Sequence, residues 1–150
     1  MLPINIMLDS TFNSQEAFMA ITYANEMNAI RENTVNLFTM ANSLPVIKPN
    51  CAILPIEKAL YTKGVNIATS FHTAKFLRSC IAEKKVFYVW EPTWIFNKMD
   101  YLTWYKIFNE DIKLIARCRE HAKCIYNLSG KKVRDIVPNF NLRDILNVVQ

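Results

Sequence analysis

Two hydrophobic rhythms alternate along the chain. Short, nearly continuous apolar runs (PINIML at 3–8, TVNLFTM at 34–40, CAIL at 51–54, VNIAT at 65–69, VFYVW at 86–90, IKLIA at 112–116, VRDIV at 133–137) read as buried strands. Between them apolar residues recur at helical spacing. Ser14 is the expected N-cap of a helix carrying Phe18, Ile21, Tyr23, Ala24, Met27 and Ile30. Residues 41–50 hold Pro45 and Pro49 and must be loop. Residues 56–61 predict a short helix for which Gly64 is the C′ residue. The segment from Phe71 to Lys85 has the length that a crossover between parallel strands needs. Asp100 is the expected cap of an aromatic helix whose Tyr101, Leu102, Tyr105 and Phe108 face the core. A helix over 117–129 should end at Gly130, Pro138 should end the last strand, and NLRDILNVVQ should close the chain as a short helix.

Strand and helix alternating in this way predict an α/β fold. It should be one domain over residues 1–150, a mostly parallel sheet with helices on both faces. Ligands of such sheets bind beyond the carboxyl ends of the strands. Those ends here carry Asp9-Ser10, Thr69-Ser70-Phe71-His72 and Glu91-Pro92-Thr93-Trp94. His72 is a candidate general base toward an acceptor hydroxyl, or else a helix N-terminal residue bonded to local backbone. Glu91 and Asp9 are candidate catalytic carboxylates; the alternatives are a salt bridge for Glu91 and helix capping for Asp9. Ser10, Thr11, Thr69 and Ser70 are candidate ligand contacts. Trp90 and Trp94 offer an aromatic platform, or core packing. His121 reads as surface.

Composition narrows the chemistry. With 51% hydrophobic and 21% charged residues the chain is globular, and its two glycines exclude a glycine-rich phosphate loop. Cys51, Cys80, Cys118 and Cys124 form no CxxC pair and no zinc spacing, so they read as reduced thiols; neither metal nor cofactor is expected. The N-terminus lacks the pattern of a signal peptide and no apolar run reaches the length of a membrane span, so a cytosolic setting without membrane partners is expected. Net charge is +5, divided into −1 over residues 1–74 and +6 over 75–150. Arg117, Arg119, Lys123, Lys131 and Lys132, with Lys113 and Arg134, are candidate anion contacts for nucleic acid or an acidic protein, or simply a solvated face.

The C-terminal stretch IKLIARCREHAKCIYNLSGKKVRDIVPNFNLRDIL resembles, in its order of parts, the N-terminal domain of two-Rossmann-domain (GT-B) glycosyltransferases. In that family a Gly-Lys-x-Val turn leads to a strand ending Val-Pro-Asn-Gly-Val-Asp at the interdomain hinge. Here Val137, Pro138 and Asn139 match, Phe140 stands where glycine is usual, and Asp is absent or shifted to Asn141. VNIATSFH is similar to the strand whose end carries a His or Ser near the acceptor, and VFYVWEPTW to the next one. The resemblance spans nearly all 150 residues in element order but is specific only at Val-Pro-Asn. It implies a Rossmann-like, acceptor-side domain with His72 or Glu91 as base and Asn139 at the hinge. The family's second domain, which holds most donor contacts, would follow the hinge and has no counterpart in these residues. Sugar transfer is therefore expected only with a separate donor-binding protein or in a homo-oligomer. The compact, Asn- and Lys-rich chain suits a viral gene, in which DNA would be one candidate acceptor. The competing expectation is a non-enzymatic basic domain.

Overall fold

A computed structural model describes residues 2–30, 33–96 and 101–149. Its strands are β1 (Ile4–Leu8), β2 (Val35–Thr39), β3 (Ile53–Pro55), β4 (Val65–Ala68), β5 (Lys84–Val89), β6 (Lys113–Ala116) and β7 (Asp135–Ile136). They form one sheet in the order β3-β2-β1-β4-β5-β6-β7, with every neighbouring pair parallel. Its helices are α1 (Gln15–Ala29), α2 (Phe71–Ser79), α3 (Tyr101–Phe108), α4 (Arg119–Ser129) and α5 (Leu142–Val149). This is the Rossmann-like α/β architecture. None of the described helices is long and apolar enough to cross a membrane.

Period-two alternation divides the core between the two faces of the sheet. Ile4, Ile6 and Leu8 of β1 point to the face covered by α1 and α5, where Ala20, Ile21, Ala24 and Ile145 pack. Met7 points to the other face, where α2, α3 and α4 contribute Leu77, Trp104, Phe108 and Ile125. From β1 the chain steps outward to β2 on one side, and from β4 it steps outward to β5, β6 and β7 on the other. A constant crossover hand requires the connecting helices to change face at that reversal, as they do. The crevice outside the carboxyl ends of β1 and β4 is thereby opened.

Asn5, Asn36 and Asn66 stand in register on three adjacent strands. The Asn36 amide donates to Asn5 Oδ1 at 3.3 Å, and the Asn5 amide donates to Asn66 Oδ1 at 2.7 Å and to the Lys63 carbonyl at 2.9 Å. Amides that satisfy one another in this way, with Asn5 and Asn66 fully buried, hold a unique register, because a slip by one residue would strand them among apolar side chains.

Local signals are realised where they are steric. Ser14 caps α1, accepting from the Ala17 N–H at 3.0 Å, and Gly130 ends α4 in the left-handed region at φ 73°. Other expectations are corrected. The short 3₁₀ turn over 56–61 stops at Tyr61 with Thr62 as its cap, so Gly64 is not its C′ residue. Gly64 sits at φ 104° against Pro3, where a Cβ would collide with the Pro3 carbonyl. The buried face of α1 turns toward Ala17 and Ala20, which bring the helix close to the sheet, and leaves Phe18 and Ile30 exposed. In α3 the buried residues are Trp104, Ile107 and Phe108, while Tyr101, Leu102 and Tyr105 face outward. The cause is the aromatic stack that Trp104 joins, with Phe71 at 4.3 Å and Trp94 at 4.8 Å between ring centres. Asp100, the expected cap, lies outside the described residues. The last strand shortens from the expected 133–137 to Asp135–Ile136 at the sheet edge.

Candidate functional site

A crevice of about 360 Å³ opens where the strand order reverses, within the size range of small-ligand sites. Asp9 from the end of β1, Thr69 and Ser70 from the end of β4, His72 from the first turn of α2 and Glu91 from the end of β5 all line it. Phe71, Phe87 and Trp104 form its apolar wall. Residues far apart in sequence thus meet because their strands are neighbours.

Ser70 is the N-cap of α2: its Oγ accepts from the Thr73 N–H at 3.1 Å while the Thr73 hydroxyl accepts from the Ser70 N–H at 3.0 Å. The same Ser70 hydroxyl donates to Asp9 Oδ1 at 2.6 Å. The other Asp9 oxygen faces His72 Nδ1 at 3.7 Å, with both side chains about half exposed. A carboxylate anchored on one oxygen and beside an imidazole on the other suits proton uptake from a ligand hydroxyl. Asp9 does not cap α1; Ser14 does.

Sequence reasoning missed Glu16. It lies in the first turn of α1, where an acidic residue reads simply as favourable to the helix dipole. Its carboxyl reaches across the crevice to the Thr69 hydroxyl. Burial pushes its pKa from 4.5 up to about 7; a hydroxyl donated by Thr69 would pull it down, and the charges of Asp9 and Glu91 push it further up. Only the long-range pairing of β1 with β4 makes this neighbourhood.

Other expected site residues lie elsewhere. Thr11 is buried, and its hydroxyl and N–H are both engaged with Ser43. Ser10 accepts from the Phe12 N–H at 3.1 Å and is not part of the crevice lining. Trp94 is 8% exposed and packs on Trp104 and Phe108, so it is core rather than a platform. Trp90, although largely buried, does line the crevice; the Arg117 guanidinium lies over its ring at 4.6 Å and reaches Gln15 Oε1 at 3.4 Å. Arg119 and Lys123 are exposed on α4, and Lys132, two residues past the Gly130 cap, lines one surface pocket together with Lys123. Lys131 donates to the Glu110 carbonyl and Lys113 pairs with Asp135. Lys113 and Lys131 are thus engaged within the fold, while Lys123 and Lys132 share a surface.

At the Val-Pro-Asn motif, Asn139 and Phe140 both adopt left-handed backbone, at φ 54° and 55°. Glycine would adopt this conformation without cost, and Phe pays roughly 1–2 kcal/mol for it. Two contacts hold Phe140 there. Its ring is fully buried edge-on against Tyr88 at 5.0 Å, and its N–H donates to the Tyr88 hydroxyl at 3.0 Å. Asn141 caps α5, accepting from the Arg143 and Asp144 N–H groups. Asn139 is exposed and outside the crevice lining. No known family model, curated protein or solved structure matches the chain.

Proposed function

We propose that this chain is the acceptor-side half of a sugar-transfer system. The crevice holds a hydroxylated acceptor, and His72 with Asp9 takes the acceptor's proton. Glu91 orients a neighbouring hydroxyl. The activated sugar is delivered by a separate donor-binding domain or subunit. The observation that carries this reading is the meeting of Asp9, Ser70, His72 and Glu91 in one crevice at the reversal of strand order. The left-handed backbone of Phe140 supports it too, because the resembling family has glycine at that position. The alternative, a basic domain for nucleic acid or acidic proteins, would use the exposed Arg119, Lys123 and Lys132.

The test is a solution NMR titration of the full chain with a panel of mono- and disaccharide acceptors and, separately, nucleotide sugars. Acceptors are expected to shift the amide signals of Thr69, Ser70 and His72, an effect that Asp9→Asn and His72→Ala weaken; nucleotide sugars alone should not. The reading fails if no acceptor perturbs the crevice. Steeply salt-dependent binding of DNA or RNA without any crevice shift would favour the basic-domain alternative instead.

A further inference from the structure

The crevice contains a hydroxyl whose one proton faces two claims. Thr69 Oγ1 lies 2.9 Å from the Met7 carbonyl and also touches Glu16 Oε1. A carbonyl can only accept, and a hydroxyl has a single proton to give. The parallel ladder between β1 and β4 begins with the Val65 N–H donating to the Pro3 carbonyl at 2.9 Å. Continued in the same register, its next steps would bring the Thr69 N–H to Met7. That N–H is donated instead to Thr73 Oγ1 at 3.2 Å, because the chain turns there into the capping box of α2. The Thr69 hydroxyl therefore takes the place of the missing ladder bond and gives its proton to Met7. Two oxygens remain in contact, Thr69 Oγ1 and Glu16 Oε1, and with the Thr69 proton on Met7 the proton between them is one that Glu16 supplies.

We propose that Glu16 keeps its proton well above the pH at which an ordinary glutamate loses it, and that this acid is the positioning residue of the crevice, the head of a chain running Glu16 O–H to Thr69 O–H to the Met7 carbonyl. This chain ties the first turn of α1 to the carboxyl ends of β1 and β4. It also divides the labour among the carboxyl groups: Glu16 is neutral while it holds its proton, and Asp9, anchored by Ser70, is the one that faces His72. The groups that bear on Glu16 are Asp9 at the end of β1, Glu91 after β5, His72 on α2, and Arg117 after β6, which reaches Gln15 beside it. When Glu16 ionises, the Thr69 proton turns toward it and leaves the Met7 carbonyl unpaired. A third negative charge then joins Asp9 and Glu91. The acceptor's affinity should fall as that happens, an effect on ligand binding that rests on the acceptor-side reading above; the protonation itself does not.

Two measurements on the full chain test this. With glutamate labelled at the carboxyl carbon, a ¹³C NMR pH titration should show one carboxyl, absent from Glu16→Gln, that titrates near 7 instead of 4.5. Thr69→Val, which keeps the bulk and removes the hydroxyl, should lower that midpoint. A Glu16 signal titrating in the ordinary carboxylate range overturns the proposal. So does a midpoint raised by Thr69→Val, which would mean that the hydroxyl had been donating to an ionised Glu16. In the second measurement, acceptor affinity of the wild-type chain should weaken several-fold between pH 6 and 8 and stay flat in Glu16→Gln. An equal fall in both chains places the effect outside Glu16 and overturns the positioning role. If no acceptor binds at any pH, the acceptor-side reading falls, and the carboxyl titration alone judges Glu16.

Discussion

Replacing Glu16 by glutamine gives a stability change that grows with pH. The carboxyl titrates near 7 in the folded chain against 4.5 ordinarily. Between those values the folded state keeps a proton that the unfolded state has released. The stability linked to that proton is fully present below pH 4.5 and is lost as pH rises through 7. At 1.36 kcal/mol for each pH unit of separation, the loss is about 3 kcal/mol by pH 8. Glutamine has the same shape, can donate to Thr69, and loses no proton. It does forfeit a negative charge in the first turn of α1, which costs about 0.3–1 kcal/mol when Glu16 is ionised. Burial wins, and the variant should be more stable than the wild type by about 2 kcal/mol at pH 8, with little difference at pH 4.5. Urea unfolding at several pH values reads this directly. With slopes of about 1–3 kcal/mol per molar, the midpoints should separate by roughly 1 M at pH 8 and converge in acid. A gap that stays constant with pH would refute the reasoning, whatever its size.

Two further changes test the frame around the crevice. Tyr88→Phe removes a hydroxyl that donates to the Val137 carbonyl at 2.7 Å and accepts from the Phe140 N–H at 3.0 Å. With both partners left buried, unfolding should become easier by about 1–3 kcal/mol, and an unchanged thermal midpoint would rule out Tyr88 as the anchor of the turn. Alanine at Gly64 must both hold φ 104° and avoid the Pro3 carbonyl, whereas at Gly130 it meets open space at φ 73°. In denaturant melts the first should cost clearly more than the roughly 1 kcal/mol expected of the second; equal losses would mean that Pro3 moves aside freely.

The chain's own pattern determined the α/β class, the parallel strands, the caps at Ser14 and Gly130, and the polar strand ends where the crevice lies. These follow from local sterics and period, which act over a few neighbouring residues. In Ile4-Asn5-Ile6, Val35-Asn36-Leu37 and Val65-Asn66-Ile67 one polar residue stands between branched apolar ones, and the strand reading passed over it. The meaning of that repeat was not legible there, because only pairing in register brings the three amides together. Tertiary structure decided the rest. It turned α3 so that Trp104 completes an aromatic stack, and it engaged Lys113 with Asp135 and Lys131 with the Glu110 carbonyl. It also seated a phenylalanine in backbone that glycine would normally occupy. Above all it brought Glu16 to Thr69, 53 positions away. Whether a carboxyl holds its proton depends on burial and on the atoms that face it, and neither is a property of the residues beside it in the chain.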